Sequence, residues 1–480
     1  MLLKNHKNFV VNKPQLLIWL ILSFIFLFSR LINLSTLPLF SDEAYVIARA
    51  QELWQTGDLL GMIKFTTQPI LIWLVALFIK LPLGTVFAAR LVSTLMGLIT
   101  ALLLAFTAGK FIHSNAKWLA FLIMMILPFP FFYDRTLLFE SSLLTWMTLA
   151  IFVPVVGLPL AILTKQIGWL SVPVIVMLHV KKIKILSISL ITTFLVIFAI
   201  WLLALGSWEQ IFKIIISQTA APIGVNANFK ANLLLSKLWL TTYITWPFLL
   251  LMLLGLIREG VLTIKKRGLR PILLIGLWSL LILFVETKIA VIFYPRYLYP
   301  ILIGVVLLAT SALWMLFTLI RNYKNPLRLV TVLIGLIVIF YPSIKFGYTF
   351  MNSPKQSAIA HEDKLQFFDD WTSGVGSNEI NIEIEKYLRS NNNLTVYVES
   401  ENSYFITLQR RNNPNFEIEI AHWLNEPLNE IPTNILEQEN ETWFVRNRHP
   451  DIPEDWPVTL ITKVQKSPSR YVYLYRIIKQ

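Results

Sequence analysis

A series of apolar runs, each roughly 20 residues long, recurs along the first 350 positions of this 480-residue chain and fixes the solvent in which it folds. An α-helix rises about 1.5 Å per residue, so such a run spans the ~30 Å hydrocarbon layer of a bilayer. Hydrophobic side chains make up 56% of the sequence and charged ones only 15%, too apolar for an ordinary soluble domain. The runs predict about eleven spans, at approximately 14–34, 85–109, 117–134, 138–156, 157–166, 166–180, 184–206, 237–257, 270–290, 297–320 and 327–348. The expected fold is mainly α: a polytopic transmembrane helical bundle over residues 1–350, then a soluble extracytoplasmic α/β domain over 351–480. In that tail charge, Asn and Pro are regular and no long apolar run occurs.

The formal net charge of +14 hides an asymmetry. Residues 352–480 hold 19 of the 28 acidic and 13 of the 42 basic residues, a net of −6, which leaves +20 on the membrane part. The bases of the membrane part lie at the ends of apolar runs, where they set topology and meet anionic headgroups. The lipid bilayer is therefore the expected partner, and nucleic acid is not. With no cysteine in the chain, disulfides and thiolate metal sites are excluded.

Lys4, Lys7 and Lys13 precede the first run, which starts that helix in the cytoplasm. No small-residue cleavage site follows it, so it reads as an anchor. The basic clusters at Lys110 to Lys117, Lys181 to Lys184, Arg258 to Arg270 and Arg321 to Arg328 fall on the same side. Asp42, Glu43, Glu52, Asp58, Asp134, Glu140, Glu209 and Glu286 fall on the other, leaving only Glu259 among the bases. An odd number of spans places the tail outside. The chain is thus expected in the cytoplasmic membrane as a multi-pass protein, with a first extracytoplasmic loop at about 35–84.

Two segments fit this scheme badly. Pro69 to Leu81 is apolar but only about 13 residues long, short of a crossing, and reads as interfacial or re-entrant; counted as a full span, it would move Glu140 to the inside. Between Glu140 and Lys165 there is too little chain for two full crossings. Either two half-length helices pack there, or the topology differs locally.

The outside loops carry the candidate chemistry. In "LPLFSDEAYVIARAQELWQTGDLL", Tyr45, Ile47, Ala48, Leu53 and Trp54 recur at near-helical spacing after Asp42 and Glu43, which predicts an amphipathic surface helix with both carboxylates at its N-terminus. Such acids serve equally as a helix cap and dipole partners. In "FFYDRTLLFESSLLTW", Glu140 tops a helix where a lipid-facing carboxylate is costly, with Arg135 close enough to neutralise it. Other outside ends offer Lys165 in "LAILTKQIGW" and Arg296, beside Tyr297, in "FYPRYLYP". The six His residues are scattered with no pair at ligand spacing, so no metal cofactor is expected; carboxylates that hold a divalent cation through oxygen remain the alternative.

"FSDEAYVIARAQE" resembles the first-loop motif of the protein O-mannosyltransferase and aminoarabinose (lipid A) transferase families of glycosyltransferase superfamily C. The resemblance continues in order through "TTQPILIWL", "AARLVSTLMGLIT", "RTLLFESSLL", "LAILTKQIG" and "PRYLYP", and the tail segment "WTSGVGSNE" is similar to the soluble end of bacterial relatives. It implies a polyprenyl-phosphate sugar donor and a hydroxyl acceptor on a lipid, glycan or protein. Asp42 would be the general base, with Glu43 and Glu140 as the other catalytic candidates. Lys165 and Arg296 would bind the donor phosphate, with Arg90, Arg135 and Gln68 behind them and Tyr45 and Tyr297 lining the cavity. Two positions depart from the pattern: Gln68 stands where aminoarabinose transferases carry Lys, and Glu140 where many relatives carry Asp. The reading is an inverting glycosyltransferase. The rival is a polytopic lipid or sugar transporter or flippase, against which stand the absence of an internal repeat and the gathering of charge at one face rather than the midplane.

In the tail, "NEINIEIEKYLR" is expected as a helix and "NLTVYVES", "ETWFVRN" and "SRYVYLYRII" as strands.

Overall fold

The computed structural model describes residues 13–64, 68–211, 213, 228–321, 326–391, 393–398, 405–406, 416–420, 431, 433–437, 440–447, 452–453 and 455–478. Lys4 and Lys7, Thr66 and Thr67 of the Pro-containing motif and residues 322–325 of the last basic cluster lie outside these.

Helices α1 (Lys13–Leu31), α2 (Ser41–Thr56) and α3 (Pro69–Phe78) lead into α4 (Thr85–Phe111), α5 (Ala116–Ile126), α6 (Pro128–Tyr133), α7 (Phe139–Ala150) and α8 (Pro154–Thr164). There follow α9 (Ser171–His179), α10 (Ile183–Leu205), α11 (Phe229–Tyr243), α12 (Trp246–Lys265), α13 (Pro271–Ile289), α14 (Leu302–Arg321) and α15 (Pro326–Asn352). Apolar side chains such as Ile183, Leu203 and Ile264 are 70–78% exposed, as expected where lipid is the solvent.

Among the described residues seven helical stretches are long and apolar enough to cross a membrane, so the count of about eleven is not reached. The difference has local causes. Pro128 opens a new helix one residue after α5 ends, which splits the run expected at 117–134. Thr245 at φ 64 and Pro247 likewise separate α11 from α12, where one helix at 237–257 was expected. The two short runs after Glu140 are half-length helices, α7 with 12 residues and α8 with 11, folded as a hairpin. Gly157 makes it tight: a Cβ there would meet the backbone of Ala150. Helix α3, with 10 residues, is too short to span and packs on α2, where the Trp54 indole donates to the Ala76 carbonyl.

Beyond Asn352 a strap, residues 354–376, leads to α16 (Ser377–Ser390) and a five-stranded sheet. Strands β1 (Leu394–Val398), β2 (Phe416–Ile420), β3 (Glu441–Arg446), β4 (Val458–Ser467) and β5 (Arg470–Ile477) lie in the order β2-β1-β3-β5-β4. The first three are mutually parallel; β5 is antiparallel to β3 and to β4. Ile380 and Ile384 of α16 pack on Val396, Val398, Trp443, Val472 and Leu474. The expected helix and three strands are present, and β2 and β4 are additional.

Candidate active site

The first loop is built around Arg90, which is fully buried on α4. Its guanidinium meets Glu43 through two bonds, Nε to Oε1 at 2.9 Å and Nη2 to Oε2 at 2.8 Å. Its remaining protons reach the carbonyls of Leu34, Leu37 and Pro38 at 2.8–3.0 Å. Glu43 also accepts the backbone N–H groups of Phe40 at 2.9 Å and Leu137 at 2.6 Å, so one carboxylate ties the start of α2 to the approach to α7. A planar fork against a carboxylate makes a directional clamp.

The clamp fixes its neighbour Asp42, whose side chain is 48% exposed in the first turn of α2, where the helix dipole favours an anion. Arg296 Nη1 lies 3.0 Å from Asp42 Oδ2. Arg296 belongs to the 3-10 turn Pro295–Ile301 that opens α14, and its guanidinium lies 4.9–5.8 Å from the ring centroids of Phe40, Tyr294 and Tyr297. The hairpin brings the far ends of α7 and α8 together: Lys165 Nζ contacts Glu140 Oε1 at 2.6 Å, and the ammonium lies 4.9 Å from the Tyr297 ring. Arg296 lies within electrostatic range of both Asp42 and Glu140, and Glu286 within range of Lys165 and Glu140. Asp42, Glu140, Lys165, Arg296 and Tyr297 therefore form one cluster, and the two carboxylates differ in access, because the Glu140 side chain is 3% exposed.

Three of the sequence candidates lie in the wall instead. Glu43 and Arg90 have no exposed side-chain surface, and their polar atoms are spent on each other and on loop backbone. Arg135 is 1% exposed; it donates to the carbonyls of Ser29, Ile32 and Asn33 and lies against the rings of Phe131 and Phe350. Burial, and for Glu43 and Arg90 hydrogen bonds on every polar atom, leave these groups no face for a ligand. Gln68 stands half-buried just before α3, and Tyr45 is half-buried one turn from Asp42, with the Arg49 guanidinium 5.3 Å from its ring.

Sequence reasoning left out a second layer. Asp134, fully buried, accepts the hydroxyls of Ser141 and Tyr299 at 2.9 Å each, linking the residue after Glu140 to the turn that carries Arg296. The neighbouring Tyr133 donates to Asp363 of the strap. Among the described residues no three of His, Cys, Asp or Glu gather as a metal-binding group.

No protein-family model and no curated protein matches the chain. Solved structures do. ArnT from Cupriavidus metallidurans in the apo state has a TM-score of 0.59 at 13% identity, covering 96% of this chain and 98% of its own. The same enzyme bound to undecaprenyl phosphate has a TM-score of 0.61 at 13% identity, covering 97% and 98%. The apo oligosaccharyltransferase of Archaeoglobus fulgidus has a TM-score of 0.55 at 11% identity, covering 95% of this chain and 74% of its own. Over nearly its whole length, then, the chain has the fold of ArnT.

Proposed function

We propose that the chain is an inverting glycosyltransferase that moves a sugar from a polyprenyl-phosphate donor to a hydroxyl acceptor at the extracytoplasmic face of the cytoplasmic membrane. Residues 351–480 form its soluble outer part, and the N-terminus lies in the cytoplasm. The observation that carries the reading is the pairing of one accessible carboxylate, Asp42, with Arg296 at 3.0 Å, beside a second cation, Lys165, held by Glu140. The fold adds support, since ArnT has been solved with undecaprenyl phosphate bound.

Asp42 takes the acceptor's hydroxyl proton as the oxygen attacks the anomeric carbon. The bond from that carbon to the phosphate oxygen breaks, and polyprenyl phosphate departs with one more negative charge. An alcohol is a poor nucleophile until a placed base removes its proton, a contribution of about 10²–10⁴ in rate. The growing phosphate charge is met by the Arg296 fork and the Lys165 point charge. Glu140 orients Lys165. With a cation beside each carboxylate, the proposed reaction calls on no metal, and turnover should persist in EDTA.

The test is transfer of radiolabel from undecaprenyl-phosphate sugars by the purified protein. Asp42→Asn is expected to lower kcat at least 100-fold, within the range for a lost general base, while binding of undecaprenyl phosphate persists; Lys165→Ala weakens that binding. Wild-type turnover by folded Asp42→Asn refutes the reading. Transbilayer movement of labelled lipid with no glycosidic product would assign the protein to the transporter or flippase class.

A further inference from the structure

We propose that Asp363, in the strap after the last membrane helix, is a positioning residue of this transfer site, fixing the wall next to Arg296 so that the chain beyond Asn352 completes the site. The inference rests on the function proposed above and names a residue outside the membrane part for it.

Asp363 is 1% exposed although it follows the helical bundle in sequence. Its carboxylate accepts the Tyr133 hydroxyl at 3.0 Å on each oxygen and the Tyr243 hydroxyl through a short bond. The N–H of Ala360 donates to the Tyr243 hydroxyl at 3.2 Å, and the Trp239 indole donates to Glu362 at 2.7 Å, so α6 and α11 are both tied to the strap. Tyr133 lies within electrostatic range of Arg296 and Glu140, and its ring packs 5.4 Å from that of Tyr299, on the turn that carries Arg296. The strap also holds the peptide that precedes Asp42. The Ser41 N–H donates to the Thr372 carbonyl at 2.9 Å and the Gly374 N–H to the Leu39 carbonyl at 2.6 Å, while Phe40 packs on Phe367. One segment thus holds both the peptide preceding Asp42 and the wall beside Arg296.

An apolar side chain of similar volume would hold the strap in place without the cost of burying a carboxylate. A charge here acts on Arg296, which is the cation that faces Asp42. The groups around Asp363 are Tyr133 from α6, Tyr243 from α11, Arg296 from the turn and the adjacent Glu362. Burial pushes the Asp363 carboxyl up to about 7, so its charge changes near neutral pH.

The experiment compares kcat, donor KM, undecaprenyl-phosphate binding and the pH profile in full-length wild type, Asp363→Asn and Tyr133→Phe, with exposed Lys386→Ala on α16 as control. Asp363→Asn should lower kcat about tenfold, leave donor KM and lipid binding within twofold, and abolish an increase in kcat as pH passes about 7. Tyr133→Phe, which removes a single hydroxyl, should lower kcat about threefold per folded protein, and it decides the matter if Asp363→Asn does not fold. Wild-type kcat and pH profile in the folded variants, with Asp42→Asn inactive, overturn the positioning role and leave the transferase reading intact. Full activity of Asp42→Asn removes that reading and this one with it.

Discussion

The Glu43–Arg90 clamp offers the sharpest separation of architecture from chemistry. Glu43 adjoins the proposed base yet has no exposed side-chain surface, and both of its oxygens already accept bonds from Arg90 and from two backbone amides. Breaking a buried ion pair by removing one partner costs about 3–5 kcal/mol, because the other charge is stranded. Arg90→Met should fall in that range. Replacing both members by apolar residues often restores stability, but not in this site. The carbonyls of Leu34, Leu37 and Pro38 and the amides of Phe40 and Leu137 would all lose partners. At about 1 kcal/mol or more for each orphaned group, the Glu43→Leu, Arg90→Met double variant should remain destabilised by about 5 kcal/mol. Unfolding in mixed micelles, followed by tryptophan fluorescence, measures this. Glu43→Gln should lose stability by about 3 kcal/mol, with turnover falling only as folded protein is lost. Unchanged stability together with abolished turnover would refute the structural assignment and return Glu43 to the reacting centre.

Two further outcomes follow from packing and burial. A Cβ at Gly255 of α12 would overlap the Leu308 carbonyl of α14, so Gly255→Ala should cost about 1–3 kcal/mol or more in thermal unfolding. Gly260→Ala, with nothing near its Cβ, should be neutral or stabilising by up to about 1 kcal/mol. Lys466 of β4 donates to the Ser373 carbonyl at 2.5 Å, and burial pushes its pKa down to about 7. Between pH 7 and about 10 the unfolded chain holds a proton there that the folded chain does not, so stability should rise with pH across that window. Unfolding midpoints measured from pH 7 to 10 should show the rise, and Lys466→Met should flatten it.

The parts of this molecule legible in its sequence are those encoded over a few neighbouring residues. The acid-led amphipathic pattern after Ser41 produced α2, and the apolar stretch after Glu140, too short for two crossings, produced the α7–α8 hairpin. Partner assignments were not legible, because they are made at long separation. Glu43 meets Leu137 94 residues away, and Tyr133 meets Asp363 230 residues away. A lone Arg in an apolar run reads the same whether it lines a cavity or, like Arg90 and Arg135, clamps carbonyls in the wall. In the tail, register shifts at Leu460/Thr462 and Gln465/Ser467 break the alternation of β4 and hide it. The strict Phe-Glu-Ile-Glu-Ile alternation of β2 was a signal that could have found that strand.

The same hairpin sets the distance between its closed end and the Glu140–Lys165 pair. Twelve residues of helix rise about 18 Å, roughly 12 Å less than the hydrocarbon layer. Its closed end reaches the basic face: the Phe152 ring lies 5.1 Å from the Lys110 ammonium, and the Ile151 carbonyl meets His179 Nε2 at 3.0 Å. The Glu140–Lys165 pair closes the other end of the hairpin, about 18 Å along α7 from that contact. On the function proposed above, this short reach sets the level at which a lipid-anchored donor would present its phosphate to Lys165.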